Sequence, residues 1–384
     1  MNTLDQQYQN LLRDILDNGT VKKTRNGGTI SVFGRSIRYK FKDGKFPLLT
    51  SKKMATKQII TELLWFLRGE TNIQSLVKDG NNIWVGDAYK AFFKKATDIK
   101  DAYTSGDLIG SQSHIDAMFS NSDKLVILSR KEFIDKIKTD DDFAQSWGEL
   151  GPVYGKQWRR WSGVDVKMPK KSKIPMGVRV GHIDQIANVI ETLKTNPDDR
   201  RMIVSAWNPS DIDSAVLPPC HYAFQFWTRE LDAFEREDWY AKNNNYSAEQ
   251  RLEMHPNHSD DDVHLKMDKE SVPRRAVSLM FNMRSCDVPL GLPFNIASYG
   301  ALLQIIAGMV NMVPDELISS LGDTHVYLNQ TEGVKEQLER TSYDLPQLKI
   351  DRVSEIKDPA ELKYEDFELL NYVSEDKIKF ELSN

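Results

Sequence analysis

Cysteine is scarce in this chain, two among 384 residues, and that scarcity excludes a disulfide framework and points to a reducing, cytoplasmic setting. Long apolar runs are lacking as well. No stretch reads as long enough to span a membrane, and Met1 to Gln9 is polar, so neither export nor anchoring is expected. There is no excess of basic charge: 51 Lys and Arg against 56 Asp and Glu leave a net charge of −5, which gives a nucleic-acid polymer no electrostatic footing. Internal repeats and low-complexity tracts are absent too, which sets aside repeat architectures.

What is present belongs to a folded enzyme-sized domain. Hydrophobic residues make up 40% and charged residues 28%, and the length suffices to bury a large core. Ile30 to Gly34 and Ile37 to Phe41 alternate as a hairpin would, and Gln58 to Leu67 reads as a strongly apolar helix ending at Gly69. A second helix follows His182, with Ile183, Ile186, Val189, Ile190 and Leu193 at helical spacing. Strands are expected at Met202 to Trp207, His221 to Trp227 and Val277 to Met283, and a long apolar helix from Asn295 to Val310. Strands interleaved with helices predict an α/β or α+β fold, a large, mostly mixed β-sheet flanked by helices.

Two stretches, about 86–147 and 229–274, turn polar and charged, and they read as surface insertions without cores of their own in a single domain covering 1–384. The second holds His255, His258 and His264 around Asp260-Asp261-Asp262, either a metal-ligating spacing or a solvated acidic loop; lacking a nearby cysteine, it is read as the loop.

The strongest chemical signal is Leu217-Pro218-Pro219-Cys220-His221. A cysteine that closes a Pro-Pro turn and opens a strand is either a positioned nucleophile or a small core residue. Arginines recur at the ends of predicted strands: Arg200-Arg201 opens one and Arg284-Ser285 closes another, while Arg25 lies near the first hairpin. Guanidinium forks with a hydroxyl are what a phosphate monoester needs. Glu62 falls inside Thr61-Glu62-Leu63-Leu64-Trp65-Phe66-Leu67, where burial would raise its pKa toward neutrality, as a general acid or base requires, unless it is a structural carboxylate with a salt-bridge partner. Asn295 either caps the long helix or pairs its amide with a base edge.

Cys220, Arg200, Arg201, Arg284, Ser285 and Asn295 sit within six segments that resemble thymidylate synthase family motifs, in the family's order. They are Gly148 to Arg159, Arg200 to Asn208, Leu217 to His221, Arg284 to Asp287, Leu290 to Tyr299 and Gly322 to Tyr327. The resemblance implies that fold and a homodimer binding deoxyuridine monophosphate (dUMP) and 5,10-methylenetetrahydrofolate, with no metal. It implies that Cys220 adds to C6 of the pyrimidine, making C5 a carbon nucleophile. It assigns the phosphate to Arg25, Arg284 and Ser285, joined by Arg200 and Arg201 from a second subunit, the ribose hydroxyl to His325 and Tyr327, and the base to Asn295. Glu62 is implied as proton manager with Tyr154 and Asn208 in support; Ile83, Trp84, Asp287, Leu290, Gly291 and Phe294 match folate-side positions, Asp287 beside the nucleotide too. A catalytically silent nucleotide- or RNA-binding relative would not need this full set.

The branch within the family turns on water. Asn295 stands where cytosine-acting relatives carry Asp, which favours dUMP. Asn282-Met283 before Arg284-Ser285 resembles the phage hydroxymethylases, Val85-Gly86-Asp87 and Ala55 depart from the synthase pattern, and the end Asp376 to Asn384 is polar where synthases close with a small apolar tail. Since capture of a C5 methylene by hydride or by water depends on excluding solvent, the expectation is a dUMP hydroxymethyltransferase giving 5-hydroxymethyl-dUMP and tetrahydrofolate, with thymidylate synthase (reductive methylation to thymidylate and dihydrofolate) as the alternative.

Overall fold

A computed structural model describes residues 2–24, 27–42, 44–105, 118–121, 126–167, 177–244, 246 and 259–380. They group into two compact units, one of Met1–Ala55, Ile186–Val204 and Cys220–Asn384, the other of Thr56–Gln185 and Ser205–Pro219. Twelve strands occur among the described residues. In chain order they are β1 (Thr20–Thr24), β2 (Gly27–Lys40), β3 (Phe119–Asn121), β4 (Val126–Ile127), β5 (Trp161–Lys167) and β6 (Gly177–Ile183), then β7 (Ile203–Ser205), β8 (His221–Glu230), β9 (Arg275–Asp287), β10 (Val313–Tyr327), β11 (Gln347–Ile350) and β12 (Phe367–Leu370). Six of them form the mixed sheet that was expected, in the order β1-β2-β10-β9-β8-β7.

In the first unit β9 and β10 run parallel, and β2 and β8 flank them antiparallel. Parallel neighbours need a crossover, and the helix Gly291–Met309 supplies it. This helix is apolar on nearly every side and buries most of its length, with Tyr299 stacked on Phe281 of β9 at 4.4 Å and edge-on to Phe224 of β8 at 5.4 Å. It is long and apolar enough to cross a membrane by length and composition, more so than the sequence reading allowed, but 72% of its apolar window lies inside the unit. The observed start at Gly291 rather than Asn295 places Asn295 within the helix, so it is not the N-cap; Leu290 is.

The expected hairpin within Ile30 to Phe41 is one unbroken strand. β10 is long enough to pair both halves, from Glu316 opposite Lys40 to Tyr327 opposite Thr29. Gly34 takes φ +72° without reversing the chain, a conformation open to glycine. The hairpin partner of β2 is β1. The strand expected at Met202 to Trp207 shortens to β7, and Ile183 closes β6 instead of opening the helix Gln185–Thr195.

The first unit opens on α1 (Thr3–Asn18); in the second unit, α2 (Thr56–Leu67) buries Ile59, Ile60, Leu63, Leu64, Trp65, Phe66 and Leu67. Phe66 packs on Trp158 of the helix Tyr154–Arg159, ring centres 5.4 Å apart. Past the end of α2, Arg159 and Arg160 donate to the carbonyls of Leu67 (2.6 Å) and Gly69 (2.5 Å), satisfying acceptors that a helix end leaves open.

Neither polar stretch is coreless. Ahead of 86–147 comes α3 (Gln74–Lys78); the stretch itself carries most of the long α4 (Val85–Ser105), whose Phe92 is fully buried against Phe133 (5.0 Å), Trp147 (5.2 Å) and Phe143 (5.8 Å). Tyr89, Phe92 and Ala96 share one face of α4 at helical spacing, a stripe that the surrounding lysines disguise in composition. Within 229–274, helices Ala233–Asn243 and Asp260–Lys269 enclose Ala233, Val263, Met267 and Val272. Arg236 is fully buried there and donates to the carbonyls of Val272 (2.9 Å), Pro273 (3.2 Å) and His264 (3.1 Å) and to Asp268 (2.8 Å). Replacing Arg236 with methionine strands these acceptors, so the account expects a loss of about 3 kcal/mol of stability in denaturant unfolding. A change below about 0.5 kcal/mol, the scale of an ordinary surface substitution, would show that the guanidinium does not hold the segment.

Candidate active site

The parallel pair β9 and β10 ends at the same level, and in open α/β sheets the carboxyl ends of parallel strands are where ligands bind. In the first unit this end gathers Arg284, Ser285 and Asp287 from β9 with His325 and Tyr327 from β10, in a register that sets Asp323 beside Ser285 and His325 beside Asp287. Cys220 immediately precedes β8, and its carbonyl accepts from the Arg284 amide at 2.9 Å. That bond ties the cysteine to the arginine by backbone alone. Cys220 is half-buried, whereas Cys286 is fully buried and its thiol is pushed well above the usual value, first by burial and then by the nearby Asp287. Only Cys220 therefore has the access a nucleophile needs.

Around it the polar groups are held in place. Asp323 accepts from Ser31 Oγ (2.6 Å) and Lys22 Nζ (3.0 Å), and His325 Nδ1 lies 3.2 Å from the same carboxylate. The His325 and Tyr327 rings meet edge to face at 5.2 Å. Gln330 joins two site residues: its Oε1 accepts from the Tyr327 amide (3.0 Å) and its Nε2 donates to Asp287 (3.2 Å). Asp287 also accepts from the Leu290 amide (3.1 Å), and burial holds its pKa above the usual carboxylate value. Lys52 is buried next to it, donates to the Pro289 carbonyl, and has its pKa brought down to about 7 by burial, against the pull of Asp287. Gly291 lies between Asp287 and Asn295, a Cβ there falling 4.0 Å from Asp287 Cβ and 3.9 Å from Asn295 Oδ1. His221, beside the nucleophile in sequence, turns into the core instead: its Nδ1 is 2.7 Å from Tyr299 Oη, and burial drops its pKa to about 3, so it stays neutral.

Arg200 and Arg201 are exposed at the entrance to β7, where Asp199 holds Arg201 by Nε (2.9 Å) and Nη2 (2.7 Å). Arg25, His255, His258 and the last four residues, Glu381 to Asn384, lie outside the described residues. His264 Nδ1 is 3.0 Å from Arg236 Nη1, and no group of three potential metal ligands occurs among the described residues.

The second unit holds the remaining candidates. Glu62 on α2 accepts from Trp84 Nε1 at 2.8 Å. Its carboxyl keeps some access to solvent but is crowded by protein, and burial raises its pKa to about 7, a rise the Trp84 bond only partly opposes. The structural alternative, a salt bridge to Glu62, is not found among the described residues, and its nearest recorded partner is an indole. Trp84 lies 6.1 Å from the Tyr154 ring, which packs on Phe66 at 4.9 Å. Asn81, itself buried, fixes the turn that carries Ile83 and Trp84: Nδ2 donates to Thr61 Oγ1 (2.9 Å) and Oδ1 accepts from the Ile83 amide (3.1 Å). Asn208 donates to Asp211 (3.1 Å), which also accepts from Lys156 (2.6 Å) and Gln157 (2.8 Å). Gly151, at φ +75°, brings its loop so close to the Ser214 carbonyl that a Cβ would sit 2.3 Å from that oxygen.

Lys52, Asn81, Asp211 and Gln330 were not identified from sequence. Each has a partner remote along the chain; Asp211 and Gln330 lie just past recognised segments, whereas Lys52 and Asn81 lie outside all six.

The sequence profile described as thymidylate synthase matches residues 6–384. The chain is 39% identical over 375 residues to a thymidylate synthase of Mycoplasma mobile, covering 97% of this chain and 98% of that one. It is 38% identical over 345 residues to thymidylate synthases of Listeria monocytogenes and Listeria innocua, covering 89% of this chain and 88% of each relative.

Proposed function

This chain belongs to the thymidylate synthase family, and on that premise we propose that it transfers a one-carbon unit from methylenetetrahydrofolate to C5 of dUMP. The observation that carries the covalent step is Cys220, the accessible cysteine, tethered through its carbonyl to the Arg284 amide. The Cys220 thiolate adds to C6 of the pyrimidine and the electron pair of the C5–C6 bond moves toward C5 and O4. C5 thereby gains the nucleophilicity that uracil lacks. Arg284 favours the thiolate by its charge and with Ser285 and Arg25 holds the phosphate. Asn295 pairs with the uracil edge, and His325 and Tyr327 take the ribose hydroxyl. Once the one-carbon unit is attached, the C5 proton leaves and the C6–S bond breaks, returning the thiolate.

Glu62, poised near neutral pH, suits proton transfer in both directions, with Tyr154 and Asn208 supporting it. Asp287, a half-buried carboxyl, has the chemistry to face the N–H edge of a pterin, and Ile83 is an exposed apolar side chain suited to its rings. When bound, the folate supplies carbon at the oxidation level of formaldehyde and, for a methyl product, a hydride. Arg200 and Arg201, exposed here, serve the phosphate of a second copy in a homodimer. Exposed Trp227 and Ile203 on the same sheet suit burial by that copy.

The product we propose is thymidylate. The sequence argument for water capture leaned on Met283, but Met283 is buried, paired opposite His221 and Leu321, and on the side of β9 that faces the core helix. It fills the core. The C-terminal strap also has an apolar seat: Ile378 is buried, Phe380 covers Lys52 at 4.8 Å, and Tyr372 donates to the Leu49 carbonyl at 2.9 Å. A seated strap favours retention of the folate and exclusion of water. Water capture keeps in its favour the polar end Asp376 to Asn384 and the departures at Val85-Gly86-Asp87 and Ala55. Incubation with dUMP and methylenetetrahydrofolate, followed by mass analysis of the nucleotide and dihydrofolate absorbance, should give thymidylate with dihydrofolate. A product one oxygen heavier, with tetrahydrofolate, would replace this reading with the hydroxymethyl one.

A further inference from the structure

The turn that presents Arg200 and Arg201 is suspended from two strands by side chains that none of the six motifs includes. Thr228 on β8, buried, donates to the Pro197 carbonyl at 2.8 Å, and Gln225 on the same strand donates to the Arg200 carbonyl at 3.2 Å. Arg275, the first residue of β9, closes the arrangement. Its Nε donates to Thr228 Oγ1 at 3.1 Å and its Nη2 is paired with Asp198, while Glu230 lies 3.5 Å from Nη1. Arg275 keeps only 14% of its side chain exposed, whereas the Asp198 side chain is 72% exposed and that of Arg201 87%. A largely buried arginine thus spends its planar fork on an exposed turn. Asp199 then takes one edge of the Arg201 guanidinium, which leaves the Nη1 side of the fork facing out.

We propose that Arg275 is a positioning residue for dUMP binding, holding the Asp198–Arg201 turn so that Arg200 and Arg201 reach the phosphate in the second subunit's site. The inference rests on the family reading and on the donation of these arginines across a dimer. Arg275 touches no substrate; it acts by removing conformational freedom from a turn that is otherwise solvent-exposed. A preset turn spares the ordering entropy that binding would otherwise have to offset.

The test compares Arg275→Gln and Arg275→Lys with the unaltered enzyme. Arg275→Gln is expected to raise the KM for dUMP about tenfold with kcat within about twofold, and Arg275→Lys, keeping charge but not the fork, to fall between. Inhibition by inorganic phosphate should weaken in parallel. Mixed dimers pairing a Cys220→Ala protomer with an Arg275→Gln protomer then locate the effect. The sole active site lies in the Arg275→Gln protomer but receives the turn of the intact one, so its KM should return to that of the unaltered enzyme. An unchanged KM in the Arg275→Gln homodimer, even with a lowered melting temperature, would overturn the positioning role while leaving the family reading intact. A raised KM persisting in the mixed dimer would overturn donation across the interface. Absence of dUMP turnover by the unaltered enzyme would instead remove the reading on which both depend.

Discussion

Cys220→Ala is expected to lower kcat by at least about 10⁴-fold while leaving dUMP binding within a few-fold of the unaltered enzyme. The reasoning is local. Cys220 is the accessible thiol of the two in the chain, since Cys286 is enclosed and its pKa is driven up. The phosphate and ribose contacts proposed for Arg284, Ser285, His325 and Tyr327 do not pass through the sulfur, so affinity should survive its loss. Isothermal titration with dUMP separates the two effects. Residual turnover within tenfold of the unaltered enzyme would show that activation of C5 proceeds without an adduct, and it would leave Cys220 as a packing residue. A variant with neither turnover nor binding would place the cysteine in the architecture of the pocket.

Glu62→Gln carries the second large effect, a fall in kcat of about 10²- to 10⁴-fold, the range of a positioned acid or base. The unaltered enzyme should show an inflection near pH 7 in its kcat/KM profile, which reports the unliganded enzyme in which burial raises the Glu62 pKa to about 7, and the variant should lose it. Stability should move the other way. With its folded pKa raised from 4.5 to about 7 by burial, the folded state binds more protons than the unfolded one between these values. Stability contributed by this group is therefore complete below pH 4.5 and declines as pH rises to 7. At pH 8 the ionised carboxyl costs at most about 3 kcal/mol, less whatever its partial solvent access relieves, and glutamine removes that penalty. The expected outcome is a less active, more heat-stable protein at pH 8, with the difference vanishing at pH 4. A variant both inactive and less stable at pH 8 would mark Glu62 as structural.

How much of this was legible in the chain depends on distance along it. The apolar helix around Glu62 and the strands β8 and β9 are local patterns, and each formed within a few residues of where the sequence placed it. The split strand was misread because Gly34 looks like a turn, and only the partner β10, nearly 300 residues away, keeps both halves extended. The burial of Met283 was hidden in the same way. As a string, Asn282-Met283 sits beside Arg284, to which the phosphate is assigned by proposal, and suggests chemistry, but the pleat turns Met283 to the core. The stretches 86–147 and 229–274 hid their cores behind lysine and aspartate, since a few aromatics at helical spacing weigh little in composition. Lys52, Gln330 and Arg275 act through partners that no short-range pattern could indicate.

The central claim is that Cys220 activates C5 of the nucleotide, and the fate of the hydrogen on that carbon tests it most directly. With dUMP deuterated at C5 and methylenetetrahydrofolate supplied, the unaltered enzyme should release one deuterium to solvent for each product molecule formed, and Cys220→Ala should release none. Product that retains the C5 label, or label released at an undiminished rate by Cys220→Ala, would contradict the account.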